Sequence, residues 1–183
     1  MTGFLVLAGP LALIGLWVML TNNSFIRARN KVDEAWSGVD VQLKRRHDLV
    51  PNLVEAVRGY AEHESATLAS VTHARAAAMS AESRAERGSA EAALTCALGG
   101  VRAVAEQYPE LRASESFRAL QGKLAELEDQ IQAARRIYNA NVNAYNTRIQ
   151  LFPNSLVAGG SFTARDLFQL DSPAERGAPA VAF

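Results

Sequence analysis

The stretch FRALQGKLAELEDQIQAARRIYNANVNAYNTRIQLF, residues 117–152, decides the fold. Its apolar positions are Phe117, Leu120, Leu124, Leu127, Ile131, Ala134, Tyr138, Val142, Tyr145, Ile149 and Phe152. They return at steps of three and four, which keeps one stripe of a helix facing one way for about ten turns. The extra step of four from Tyr138 to Val142 locally unwinds any coiled-coil supercoil. Gly122 is the weak position inside the run, costing roughly 1 kcal/mol against alanine, and Pro153 forbids continuation. Such a helix is not stable alone, so the rest of the chain has to cover its stripe.

Three further seams lie upstream. Leu94, Leu98, Val101, Ala105 and Tyr108 predict a helix that stops at Pro109, and the short linker 109–114 makes it the antiparallel neighbour of the long helix. Leu53, Val57, Tyr60, Glu64, Leu68 and Val71 predict another, with a glutamate in its seam. It fades into the alanine-rich residues 74–88, which carry no apolar stripe and read as an exposed turn. Val32, Trp36, Val39 and Leu43 continue the period of Phe25. That first helix is expected to break within RRHDLVPNL, 45–53, because Pro51 disfavours helical geometry at Val50 and lacks a donor. The expected fold is all-α, an antiparallel up-down four-helix bundle over residues 24–153, with the turn at 74–88 and Pro153 at the end nearest the N-terminal segment.

Residues 4–20 carry no charge and are close to the length needed to cross a bilayer. No basic residue precedes them and TNNS, 21–24, offers no convincing cleavage site, so an uncleaved signal-anchor is preferred over a signal peptide. Arg27, Arg29, Lys31, Lys44, Arg45 and Arg46 all follow the span, which places the body in the cytoplasm and the N-terminus outside. Trp17 is expected at headgroup depth. The tail, 154–183, is rich in glycine and proline, yet Phe162, Phe168 and Phe183 give it apolar area to bury on the bundle or on a neighbouring subunit.

With 19 basic and 19 acidic residues the chain has no charge excess for a nucleic-acid backbone. A lone Cys96 excludes a disulfide framework, and His47, His63 and His73 are scattered outside any metal-ligand spacing. Neither a phosphate loop nor a nucleophile elbow occurs, so no enzyme activity, cofactor or metal is expected.

Two patches exceed background. In 45–53, Arg45 and Arg46 suit a helix C-terminus and Asp48 an N-cap, with Pro51 and Asn52 following. This is either a structural corner or a partner-binding one. In RRIYNANVNAYN, 135–146, four asparagines sit in a helix they do not favour. Asn139, Asn143 and Asn146 lie beside Tyr138 and Tyr145, as either a buried polar ladder or an oligomer interface. Glu64, if buried, needs a partner, for which Arg75 or Arg135 is available.

At these two patches the chain resembles the LemA family of bacterial membrane proteins. The resemblance is carried by residues 30–36, VDVQLKRR (39–46), DLVPNL (48–53), Tyr60, His63-Glu64, Ala74-Arg75, YPEL (108–111), Leu120-Gln121, Ala134-Arg135, Tyr138-Asn139, Val142, Tyr145-Asn146 and Phe152-Pro153, and by Arg176, Pro179, Val181 and Phe183. It implies a signal-anchor in the bacterial inner membrane, a cytoplasmic antiparallel helical bundle and no established activity or cofactor. Some members are associated with magnetosome membranes, which implies a part in membrane organisation. The functional expectation is a membrane-anchored scaffold that self-associates. The alternative is a monomeric adaptor recruiting an enzyme through Arg45, Arg46 or the tail.

Overall fold

The computed structural model describes residues 2–169, with side chains from residue 9 onward. Phe183 and the other tail residues from position 170 lie outside that range. The described residues form six helices and no strand: α1 (Thr2–Arg58), α2 (Ser65–Ser80), α3 (Arg84–Gln107), α4 (Pro109–Ala113), α5 (Glu115–Gln150) and α6 (Asn154–Ala158). The long helix predicted over 117–152 is therefore α5, with Glu115 in its first turn and Arg148 in its last, each opposing the local end of the macrodipole. Pro109 opens the single turn of α4 as predicted for a helix break after Tyr108.

The expected break at Pro51 does not occur. Helix α1 runs through it to Arg58, and the turn between first and second helices falls at 59–64 instead. The reason is local and chemical. Pro51 cannot donate to the carbonyl of His47 four residues back, and that carbonyl instead accepts a 2.7 Å hydrogen bond from Arg75 Nε on α2. The defect that would stop a solitary helix is repaired by a neighbour. Consequently Arg45 and Arg46 do not close a helix, and Asp48 caps none.

The turn expected somewhere in 74–88 narrows to 81–83. Ser83 Oγ accepts from the Glu86 backbone N–H at 3.1 Å, and the Glu86 carboxylate accepts from the Ser83 N–H at 3.1 Å. This capping box starts α3. The Ser83 backbone bond, foremost, holds the Glu86 carboxyl below its ordinary range.

Two compact units divide the chain. One comprises residues 40–133 with 168 and 169. Here Val50, Leu53 and Val57 of α1, Leu68, Val71 and Ala78 of α2, Leu94, Val101 and Ala105 of α3, Leu111 of α4, and Phe117 and Leu124 of α5 form one buried cluster. Each such side chain contributes about 1.5–3 kcal/mol when a Val, Leu or Phe is fully buried. Arg87 at the start of α3 pairs with Asp40, setting the α2–α3 turn at the Asp40 end of this unit.

The other unit comprises residues 2–39 and 134–167. In it α1 and α5 run antiparallel: Arg148 donates to Ser24 Oγ at 2.9 Å, and Asn141 to the Lys31 carbonyl at 3.4 Å. Phe25, Val32, Tyr138, Val142, Tyr145 and Ile149 are buried. Neither α2 nor α3 belongs to this unit. The stripe of α5 is covered instead by α1 and by the chain after α6. Beyond Thr21, α1 carries Leu11, Leu13, Ile14, Leu16, Met19 and Leu20, each more than half exposed. By length and composition this helix can cross a membrane.

Candidate functional site

Two polar constellations stand out, one in each unit. The first is built on residues 40–133. Continuing the seam of α1 from Leu43 by steps of three and four brings Arg46 and then Val50 to the buried face. The same spacing carries α3 from Gly88 through Glu91 to Leu94. Arg46 and Glu91 are 1% and 0% exposed, and they form a direct ion pair. Arg46 Nη1 also donates to Glu128 Oε2 of α5 at 2.9 Å and to Thr95 Oγ1 at 3.1 Å. His47 Nε2 donates to the other Glu91 oxygen at 2.7 Å. One guanidinium thus ties α1, α3 and α5 together.

Burial by itself pushes the Glu91 carboxyl up. The His47 hydrogen bond and the Arg46 charge more than offset that, so it is held below the usual carboxylate range. Arg46 Nε is buried without a partner among the described residues. A cleft of about 150 Å³ adjoins Arg46, bounded by Leu53, Thr95, Arg102, Gln121 and Glu128. That is below the volume of most small-molecule sites. Among the described residues no group of histidines, cysteines and carboxylates is arranged to hold a metal ion.

The proposed basic corner therefore separates into unlike parts. Arg46 is locked in the ion network, while Arg45, Asp48, Pro51 and Asn52 are exposed on an unbroken helix. Arg45 donates to Gln42 at 3.4 Å. Glu64 is half-buried and precedes α2 rather than lying in a helical seam. Its neighbour is Tyr108, whose hydroxyl donates at 3.4 Å, in place of the expected Arg75, which serves the His47 carbonyl.

The second constellation is on α5 in the other unit. Tyr138 is fully buried, meets Trp36 edge to face at 5.3 Å between centroids, and donates its hydroxyl to the Asp166 carbonyl at 2.9 Å. Tyr145 donates to the Thr163 carbonyl at 3.1 Å. Asn146 accepts from the Arg165 N–H at 2.9 Å and donates to the Arg165 carbonyl at 2.8 Å, matching one residue's backbone as a strand partner would. The segment 163–166 is thus held by its main chain. Phe162 packs on Phe25 at 5.0 Å.

Phe168, in the unit that includes residues 40–133, is 2% exposed beside Gly88 of α3. A Cβ at Gly88 would lie 2.5 Å from the Gln169 carbonyl oxygen, so the glycine is what lets the tail approach. Of the three tail phenylalanines, Phe162 and Phe168 make these contacts, and Phe183 lies outside the described residues. Among the asparagines, Asn146 holds the tail, Asn141 reaches Lys31, Asn143 is exposed and Asn139 is half-buried. Arg135 is half-buried and the neighbouring Arg136 exposed. Sequence reasoning missed Glu91, Thr95, Glu128 and Gly88. The signal for Glu91 was present, since a glutamate stands three residues before Leu94 in the α3 seam.

The sequence model describing the LemA family matches residues 35–183. The chain is 26% identical over 137 residues to Protein LemA of Metamycoplasma hominis, covering 74% of this chain and 63% of that protein. It is 25% identical over 179 residues to Magnetosome protein MamQ 2 of Paramagnetospirillum magneticum, covering 83% and 66%. To Magnetosome protein MamQ of Magnetospirillum gryphiswaldense it is 22% identical over 162 residues, covering 74% and 60%. The chain thus spans less than two thirds of the length of each of these relatives.

Proposed function

This chain belongs to the LemA family, and from that premise we propose that it is a non-enzymatic, membrane-anchored scaffold that self-associates. The observation that carries the reading is α1, whose bare apolar stretch at residues 9–20 is continuous with a helix buried in the body. Exposed side chains such as Leu13 and Ile14 would be costly in water and are favourable in hydrocarbon. The basic residues after the span favour a cytoplasmic body, and the reading sets the protein on the inner membrane of a bacterial cell. On this reading residues 24–153 act as an antiparallel helical bundle, which is supported by the buried cluster that segments of α1, α2, α3 and α5 share within residues 40–133.

Relatives named as magnetosome proteins support a role at a membrane surface. Burial of Arg46 argues against the adaptor alternative in its Arg45-Arg46 form, because only Arg45 is accessible. Cross-linking in native membranes followed by blue-native electrophoresis tests the scaffold reading. A ladder of species above the monomer is expected. A strict monomer at native density refutes self-association and favours an adaptor.

A further inference from the structure

Helices α1 and α5 stay in register over two turns, since Lys31 meets Asn141 and, seven residues on along each helix, Ser24 meets Arg148. The Leu151 N–H still bonds the Thr147 carbonyl at 3.0 Å, so the helical path continues one turn past Arg148. That turn sets Leu151 and Phe152 level with Leu20 and Thr21, at the base of the apolar stretch. There Leu151 is 56% exposed, Phe152 80% and Leu156 72%. Three large apolar side chains within six residues face outward at the point where the anchor leaves the body.

We propose that the loop carrying Leu151, Phe152 and Leu156 is a second membrane contact, seated in the headgroup and acyl boundary of an anionic bilayer beside the anchor. The proposal rests on the reading that residues 4–20 span the membrane. Seventeen residues rise only about 26 Å, short of a hydrocarbon core of about 30 Å. The shortfall draws the body down onto the surface, which is where this loop lies. Trp17 sits one turn from Leu20, at the depth an indole prefers. The charges nearest that level along the helices are Arg27, Arg29 and Arg148, with Lys31 further up α1 and Arg165 next to the exposed Asp166; on α1 no acidic residue occurs before Asp33, so the field beside the anchor favours anionic headgroups. Lipid is the occupant favoured over a second copy, because the patch adjoins the anchor and the first charges after it on α1, Arg27 and Arg29, are basic.

The test uses the full chain with Cys96→Ser and one new cysteine: Phe152→Cys, Leu156→Cys, Leu13→Cys or Met79→Cys. Each carries an environment-sensitive fluorophore, in phosphatidylcholine vesicles with and without phosphatidylglycerol. Positions 152 and 156 are expected to be quenched several-fold more strongly by headgroup-level nitroxide lipids than by chain-end ones, and more strongly with phosphatidylglycerol present. Position 13 should show the reverse depth, and position 79 neither. Quenching at 13 with none at 152 and 156 overturns the loop contact and leaves the anchor standing. A blue shift at 152 without quenching overturns it in favour of a second copy. No quenching at 13 overturns the anchor reading itself.

Discussion

Pro51 and Arg75 should be energetically coupled, and the coupling has a sign that few other accounts predict. Arg75→Ala removes the Nε donor that bonds the His47 carbonyl at 2.7 Å, a carbonyl orphaned because residue 51 has no N–H. Leaving that half-buried acceptor bare costs about 1–3 kcal/mol. Pro51→Ala restores an N–H in the right place and relieves a helix-interior proline, so it should stabilise the protein by roughly 1–3 kcal/mol. In the Pro51→Ala background the His47 carbonyl has its own helical donor, and Arg75→Ala should then cost under about 1 kcal/mol. The double-mutant cycle therefore predicts an interaction of about 1–2 kcal/mol, read from urea midpoints of the four full-length proteins in detergent at constant slope. Equal costs of Arg75→Ala in both backgrounds would refute the repair of the proline gap and reduce Arg75 to ordinary surface packing.

Further perturbations follow from the same contacts. Glu91 is depressed when folded, so between its folded and unfolded values the unfolded state holds more protons; its stabilisation is present above about pH 4.3 and is lost as pH falls through the folded value. Melting curves from pH 7 to pH 3 should show that loss in the wild type and a flatter acid limb in Glu91→Gln, which should also be less stable at neutral pH by about 1–3 kcal/mol because Arg46 loses its buried counter-charge and keeps only the partly exposed Glu128. Asn146→Ala should free the main chain of Arg165, and limited proteolysis should then cut at Arg165 much faster than in the wild type while α5 stays intact. Gly88→Ala places a methyl carbon against the Gln169 carbonyl oxygen and should destabilise by about 1–3 kcal/mol. The same substitution in a chain ended at Ser161 should cost far less.

Much of this fold was legible in the three-four spacing of apolar residues. The seam of α5 from Phe117 to Ile149 is buried nearly throughout, and the stop at Tyr108-Pro109 is where the sequence puts it. Pro51 was misread because a proline's cost was weighed inside one helix, whereas the compensating donor comes from a residue 24 positions away on α2. That single error hid the buried network, since a helix read as closing at Arg45 and Arg46 and breaking within 45–53 no longer carries the seam from Leu43 through Arg46 to Val50. The apolar character of the tail was legible in Phe162 and Phe168, but the partners of 163–166 were not. Tyr138, Tyr145 and Asn146 bond the main chain of 163–166, and main-chain recognition leaves no trace in the side chains recognised.

The anchoring of the chain by residues 4–20 underlies every functional statement made above. Alkaline carbonate extraction of membranes from cells expressing the full chain, beside a variant with Leu13→Asp and Leu16→Asp, tests it most directly. The wild type should remain in the pellet, and the variant should move to the supernatant with an unchanged far-ultraviolet helix signal, because both leucines are exposed and neither supports the body. Release of the wild type by carbonate, or retention of the variant to the same extent, would contradict the account.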